Sequence, residues 1–215
     1  MNRAIALIAA PLLLGACSSA QATGRTVTPA PTTATTPAGL VPGAVTAGTF
    51  REWREGATAV TYDTAAVPAG ATAEVAVAEA AGGVTVTVEL RGLVPGRAYG
   101  AHLHNNPCTA DPAAAGPHYQ NRVDPAAGPG KPSVDPAYAN PENEVWLDFT
   151  ADAAGRGSAR SVQGWRFSTE RPPWSFVLHA ENTHTGHGEA GTAGARLACL
   201  TRKPVPAYVN QPGRA

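Results

Sequence analysis

The strongest constraint on the fold is an alternation. Val84-Thr85-Val86-Thr87-Val88-Glu89-Leu90 places an apolar residue at every second position over seven residues. A weaker echo, Ala73-Glu74-Val75-Ala76-Val77-Ala78-Glu79, precedes it across the turn residues Ala80-Ala81-Gly82-Gly83. Period two puts successive side chains on opposite faces of a strand, so the pair predicts a hairpin with one buried face. Leu93-Val94-Pro95-Gly96 makes the next turn, and Ala98 to His104 continues as a strand. Further strands are predicted at Ala59 to Tyr62, Val145 to Thr150, Gly157 to Val162, Ser175 to Ala180 and Ala195 to Leu200. About eight short strands separated by Gly/Pro turns, with no long amphipathic helix, predict an all-β antiparallel sandwich or barrel. The 23 Gly and 20 Pro spread along the chain agree with a turn-rich architecture.

Chemistry concentrates at the end of the third of these strands. His102 and His104 are one residue apart in Gly100-Ala101-His102-Leu103-His104, so they share a face of the strand. Paired imidazoles on a stiff support are half of a metal site. The other four histidines, His118, His179, His184 and His187, all lie downstream. Residues 105–144 form a long loop of roughly 40 residues, and residues 182–193 a shorter one; loops of that length in a compact β domain are commonly functional. Both follow a histidine directly, His104 and His179.

The two ends read differently. Asn2-Arg3 and the apolar run from Ala4 to Leu14 have the form of an export signal, too short to span a bilayer. Leu14-Gly15-Ala16-Cys17 resembles a bacterial lipobox, which implies removal of residues 1–16 and lipidation of Cys17. The alternative is an ordinary signal peptide with Cys17 incidental. Residues 17–48 are Thr, Pro, Ala and Gly with few large apolar residues, and read as a disordered tether. The folded domain is expected over residues 49–200 and a peripheral tail over 201–215. Export and lipidation would anchor the domain on the outer face of the cytoplasmic membrane, where disulfides persist. With Cys17 lipidated, Cys108 and Cys199 remain as a pair whose loop of about 90 residues would restrain the unfolded chain by about 4–5 kcal/mol. With 16 basic and 16 acidic residues and no basic run, nucleic acid is not an expected partner. No nucleophile elbow, phosphate loop or dinucleotide fingerprint is present, so hydrolase and nucleotide readings lack support.

Four segments together carry a family resemblance. Leu93-Val-Pro-Gly-Arg-Ala-Tyr-Gly-Ala-His-Leu-His104, Asp148-Phe-Thr-Ala-Asp-Ala-Ala-Gly155, Ser175-Phe-Val-Leu-His179 and Gly191-Thr-Ala-Gly-Ala-Arg-Leu-Ala-Cys199 resemble, in order, the motifs of the copper/zinc superoxide dismutases. The resemblance implies a Greek-key, eight-stranded β-barrel or sandwich and the dismutation of superoxide to oxygen and hydrogen peroxide. It implies copper ligation by His102, His104, His118 and His179, with His118 also moving a proton in turnover. It implies a Cys108–Cys199 disulfide, and a superoxide-attracting role for Arg196 beside the copper.

The chain departs from that family at the zinc site. No histidine occurs between His118 and His179, and Thr183 stands where an aspartate is expected four residues past His179. Zinc is therefore not expected, and the pattern resembles the copper-only branch. Without zinc, His118 needs another partner for its second ring nitrogen, for which Glu144 and then Glu142 are the candidates. His184 and His187, with Glu181, are either exposed loop residues or part of a second metal or copper-relay site. The competing functional reading is a non-catalytic copper-binding or copper-buffering lipoprotein on the same fold; the copper donor is not legible in either case.

Overall fold

The computed structural model describes residues 44–202 apart from residue 129. The signal, Cys17, most of the tether and most of the tail lie outside the described residues. Nine strands are present among them: β1 (Val45–Thr49), β2 (Ala59–Thr61), β3 (Thr72–Ala80), β4 (Gly83–Arg91), β5 (Ala98–His104), β6 (Phe149–Thr150), β7 (Gly157–Gln163), β8 (Ser175–His179) and β9 (Arg196–Thr201). One 3₁₀ turn, Pro112–Ala115, interrupts the long loop. The strands form two antiparallel sheets, ordered β1-β3-β4-β7 and β2-β9-β8-β5-β6.

The alternation behaves as period two requires. Val84, Val86, Val88 and Leu90 are all buried, and they meet Val75 and Val77 across the β3–β4 pair, Val75 opposite Val88 and Val77 opposite Val86. Leu103, Phe176, Leu178 and Leu200 of the other sheet close the core from the opposite side. Burying a side chain of this size contributes about 1.5–3 kcal/mol, which fixes the register: a slip of one residue would turn the threonines inward.

Residues that face each other across an antiparallel pair share a face of the sheet. One transverse row reads Val60, Cys199, Val177, His102 and Trp146, the last joined to His102 by an isolated bridge. Val60, Val177, Cys199 and Cys108 belong to a small apolar cluster separate from the main core. His102 and His104 therefore lie on the outer face of the five-stranded sheet, beneath the loops. The Cys108–Cys199 disulfide, with S–S 2.07 Å, ties the start of the long loop to β9.

Two boundaries differ from expectation. β1 begins at Val45, inside the stretch read as tether. Its side chains are alternately exposed and half-buried, so it carries no apolar signature; it forms by pairing its backbone with β3. The strand expected over Val145 to Thr150 is regular only at Phe149–Thr150. The preceding residues meet β5 through the single bridge at Trp146 and the Leu147 N–H to Ala101 carbonyl bond of 2.8 Å.

Candidate metal centre

His102 and His104 come from β5, His179 from the last position of β8, and His118 from the long loop just past the 3₁₀ turn. The register between β8 and β9 shifts by one residue at Leu178/His179, a bulge of the kind that re-aims a side chain at a sheet edge. His118 is brought in by an isolated bridge to His104. One ring nitrogen from each of the four lies within 4.8 Å of all the others. Among the described residues this is the one group of three or more His, Cys, Asp or Glu side chains that could hold a metal ion. His102, His104 and His179 are buried, and His118 retains 14% side-chain exposure.

Hydrogen bonds fix which nitrogen each ring presents. His104 Nδ1 donates to the Gly116 carbonyl at 2.9 Å, leaving Nε2 to face the cluster. His118 Nδ1 donates to Glu144 Oε2 at 2.8 Å, again leaving Nε2. The His179 Nδ1–Gly194 carbonyl contact is 3.4 Å, and Nε2 of His179 lies 3.2 Å from Nε2 of His104. His102 is the reverse case: its Nε2 contacts Thr183 Oγ1 at 2.7 Å, while its buried Nδ1 has no partner among the described residues. An unpaired buried ring nitrogen costs about 1–3 kcal/mol unless something else satisfies it. Three Nε2 atoms and one orphaned Nδ1 converging on one point match the donor set of a transition-metal ion that prefers imidazole.

Electrostatics keeps these donors available. Burial, then the neighbouring imidazoles and Arg196, hold His102 and His104 far below the usual histidine range. Burial chiefly, with His118, lowers His179 to about 3. All three are thus neutral, lone-pair-bearing ligands across the physiological range.

Of the two glutamates expected to partner His118, the structure selects Glu144. Glu144 is 2% exposed and accepts three hydrogen bonds, from His118 Nδ1 and Trp146 Nε1 at 2.8 Å each and from Gln120 Nε2 at 2.9 Å. Glu142 is corrected: its side chain is exposed, and its contribution is a backbone carbonyl that accepts from Trp165 Nε1. The chain reverses here, with the Asn143 and Glu144 N–H groups both bonded to the Asn140 carbonyl, so only Glu144 turns inward.

Arg196 is half-buried at the start of β9 and binds the 3₁₀ turn, donating to the carbonyls of Pro112 (2.8 Å), Ala113 (3.1 Å) and Gly116 (2.6 Å). The Gly116 carbonyl thereby joins Arg196 to His104. Gly116 has φ 74°, a conformation that favours glycine and aims this carbonyl at both groups. An open cavity of about 600 Å³ adjoins Arg196, with Lys131 also on its wall and no carboxylate among its lining residues.

His184 and His187 do not join the cluster. His184 sits between Glu181 and Glu189, with each ring nitrogen 3.2 Å from a carboxylate, and these hydrogen bonds raise its pKa. His187 is exposed. Asp148 and Thr183 contribute to the site more than sequence reasoning indicated. The useful signal was the alternation Leu147-Asp148-Phe149, which buries the flanking pair and turns Asp148 to the histidine face.

A two-sheet antiparallel domain carrying four convergent imidazoles on its outer face defines a class of β-sandwich metalloprotein. Comparison with known proteins narrows the class. The copper/zinc superoxide dismutase family model matches residues 71–201, and the chain belongs to that family. Similar solved structures include a Cu/Zn superoxide dismutase from Brucella abortus, with 23% identity, 61% of this chain and 88% of that one covered, and TM-score 0.44. A double mutant of a superoxide dismutase-like protein from Bacillus subtilis is also similar, with 16% identity, 60% and 87% covered, and TM-score 0.45. No curated protein matches the chain.

Proposed function

We propose that this chain is a superoxide dismutase that uses copper without zinc, exported and held at the outer face of the cytoplasmic membrane by lipid on Cys17. The observation that carries the copper reading is the orphaned Nδ1 of His102, which converges with Nε2 of His104, His118 and His179 inside one family-matched domain. The same four residues would hold the ion. Bound copper would supply the one-electron couple by which one superoxide is oxidised to oxygen and a second is reduced to peroxide.

The chain's own groups do the rest. Arg196 provides a fixed cation at the cavity, raising the encounter rate of a small anion. His118 has solvent access that the other three lack, and can take a proton at Nε2 and pass it to peroxide. Glu144 accepts the Nδ1–H of His118 and so holds the ring in its orientation with Nε2 toward the cluster. Against zinc stands the same contact: the Nδ1 of His118 carries the N–H bonded to Glu144 and is not free to ligate a second ion. Export and lipidation rest on the Asn2–Cys17 pattern.

The test is the purified full chain, loaded with copper, in a cytochrome c reduction assay. Superoxide consumption is expected, and His104→Ala or His179→Ala should abolish it. Stoichiometric copper with no dismutation would overturn the enzyme reading and leave a copper-binding lipoprotein.

A further inference from the structure

We infer that Asp148 and Thr183 act together as a positioning device that sets the tautomer of His102 and couples the loop of residues 181–194 to the metal centre. Its consequence for metal binding rests on the copper reading above; its geometry does not. Asp148 accepts three hydrogen bonds: Ala101 N–H to Oδ1 at 3.0 Å, Thr183 N–H to Oδ2 at 2.6 Å and Thr183 Oγ1–H to Oδ1 at 2.8 Å. The single hydroxyl proton of Thr183 is thus committed to Asp148, so towards His102 the hydroxyl can only accept. His102 Nε2, 2.7 Å away, must be the donor. A neutral imidazole carries one N–H, so Nδ1 is unprotonated, which is the form that points an unshared lone pair at the cluster.

The carboxylate itself does not touch the ring in hydrogen-bonding geometry, since His102 Nε2 and Asp148 Oδ1 are 3.9 Å apart. The hydroxyl is an obligatory intermediate. It orients the ring with a neutral acceptor instead of a full charge, and it does so from the loop. Asp148 meanwhile joins β5, through the Ala101 amide, to that loop, through the Thr183 amide. The same loop lies close over Gly100, where an added Cβ would come 2.8 Å from Ala193 Cβ and clash with the Glu181 carbonyl. Loop closure and ring orientation are therefore one event, and by linkage copper bound at His102 should favour the closed loop to the degree that closure favours copper. Partners in this position on a metal-bound imidazole commonly change affinity by about 10–100-fold.

The test compares the full-length wild type with Thr183→Val, which keeps shape and removes the hydroxyl, with Thr183→Ser as rescue and Thr185→Val as a control in the same loop. Two readouts are used: histidine ¹⁵N NMR of the metal-free protein, and Cu(II) retention against a graded chelator. Expected are a single Nε2–H tautomer for His102 in wild type and Thr183→Ser, and a mixed or inverted one in Thr183→Val. Copper retention should fall by about 10–100-fold in Thr183→Val only. A Thr183→Val protein with the wild-type tautomer and copper retention within about threefold would overturn the inference. Wild type showing the fixed tautomer but no copper uptake would overturn the copper reading and uphold the positioning device. If Thr183→Val fails to fold, Asp148→Ala, which removes the acceptor of the hydroxyl proton, carries the test: a mixed or inverted His102 tautomer upholds the device, whereas a wild-type tautomer with wild-type copper retention overturns it, as does loss of the tautomer in Thr183→Ser.

Discussion

Replacing Glu144 by glutamine changes one atom and should change both stability and copper binding. Glu144 lies 2% exposed beneath three donors, and Oε2 alone accepts two of them. A glutamine placed with its oxygen at the Oε2 position keeps His118 and Trp146 but turns an NH₂ group against the amide of Gln120. That amide cannot simply flip, because Gln120 Oε1 already accepts the Asp124 N–H at 2.9 Å. The opposite placement leaves the His118 and Trp146 donors unmatched instead. Either way at least one buried donor loses its acceptor, costing about 1–3 kcal/mol, and the remaining bonds lose their charge assistance. The sum is about 2–4 kcal/mol, and at about 2–4 °C per kcal/mol for a domain of this size the melting temperature should fall by about 5–15 °C. Release of the His118 ring should also weaken copper by about tenfold or more. Calorimetry of the metal-free protein and chelator competition of the copper form measure the two effects separately. A Glu144→Gln protein within about 0.5 kcal/mol of wild type and with unchanged copper retention would refute the view that this carboxylate organises His118.

Two further predictions follow from the charges around the site. The metal-free protein should lose stability as pH falls below about 6.5, because the unfolded chain then protonates its histidines while His102, His104 and His179 stay neutral in the fold. Each loses about 1.4 kcal/mol in all between pH 7.5 and 5.5, or about 4 kcal/mol for the three; urea midpoints flat over that range would contradict the assignment. Arg196→Gln should lower the superoxide rate about 10-fold or more at low salt and remove most of its ionic-strength dependence, measured from 10 to 150 mM salt, since the Debye length shrinks from about 30 to 8 Å over that range. An equal salt slope in both proteins would place the steering charge elsewhere.

How much of this was legible in the sequence depended on whether a side chain or the backbone carried the signal. The β3–β4 hairpin was readable because its valines alternate, and His102 and His104 because they fall on the same strand face. β1 was not, since Val45-Thr46-Ala47-Gly48-Thr49 buries little and is held by backbone pairing to β3. The long loop carries no periodic signal, yet Asp124 and Asn140 fold it through short-range side-chain bonds, and Asn143 and Glu144 through bonds to Arg122 and Gln120 that span 21 and 24 residues. Choosing Glu144 over Glu142 needed the turn at Asn140. Thr183 stood out only as an aspartate that was missing; its actual partnership with Asp148 spans 35 residues and depends on the closure of the second loop over β5.

Four imidazoles of this domain offer a site for one ion, and Glu144 engages the His118 Nδ1–H that a second ion would need free. The direct measurement is metal content and superoxide dismutation on one purified sample of the full chain, after exposure to both copper and zinc and removal of loosely held ions. One copper per chain, no stoichiometric zinc, and activity proportional to copper are expected. One zinc per chain, or full copper occupancy without activity, would contradict it.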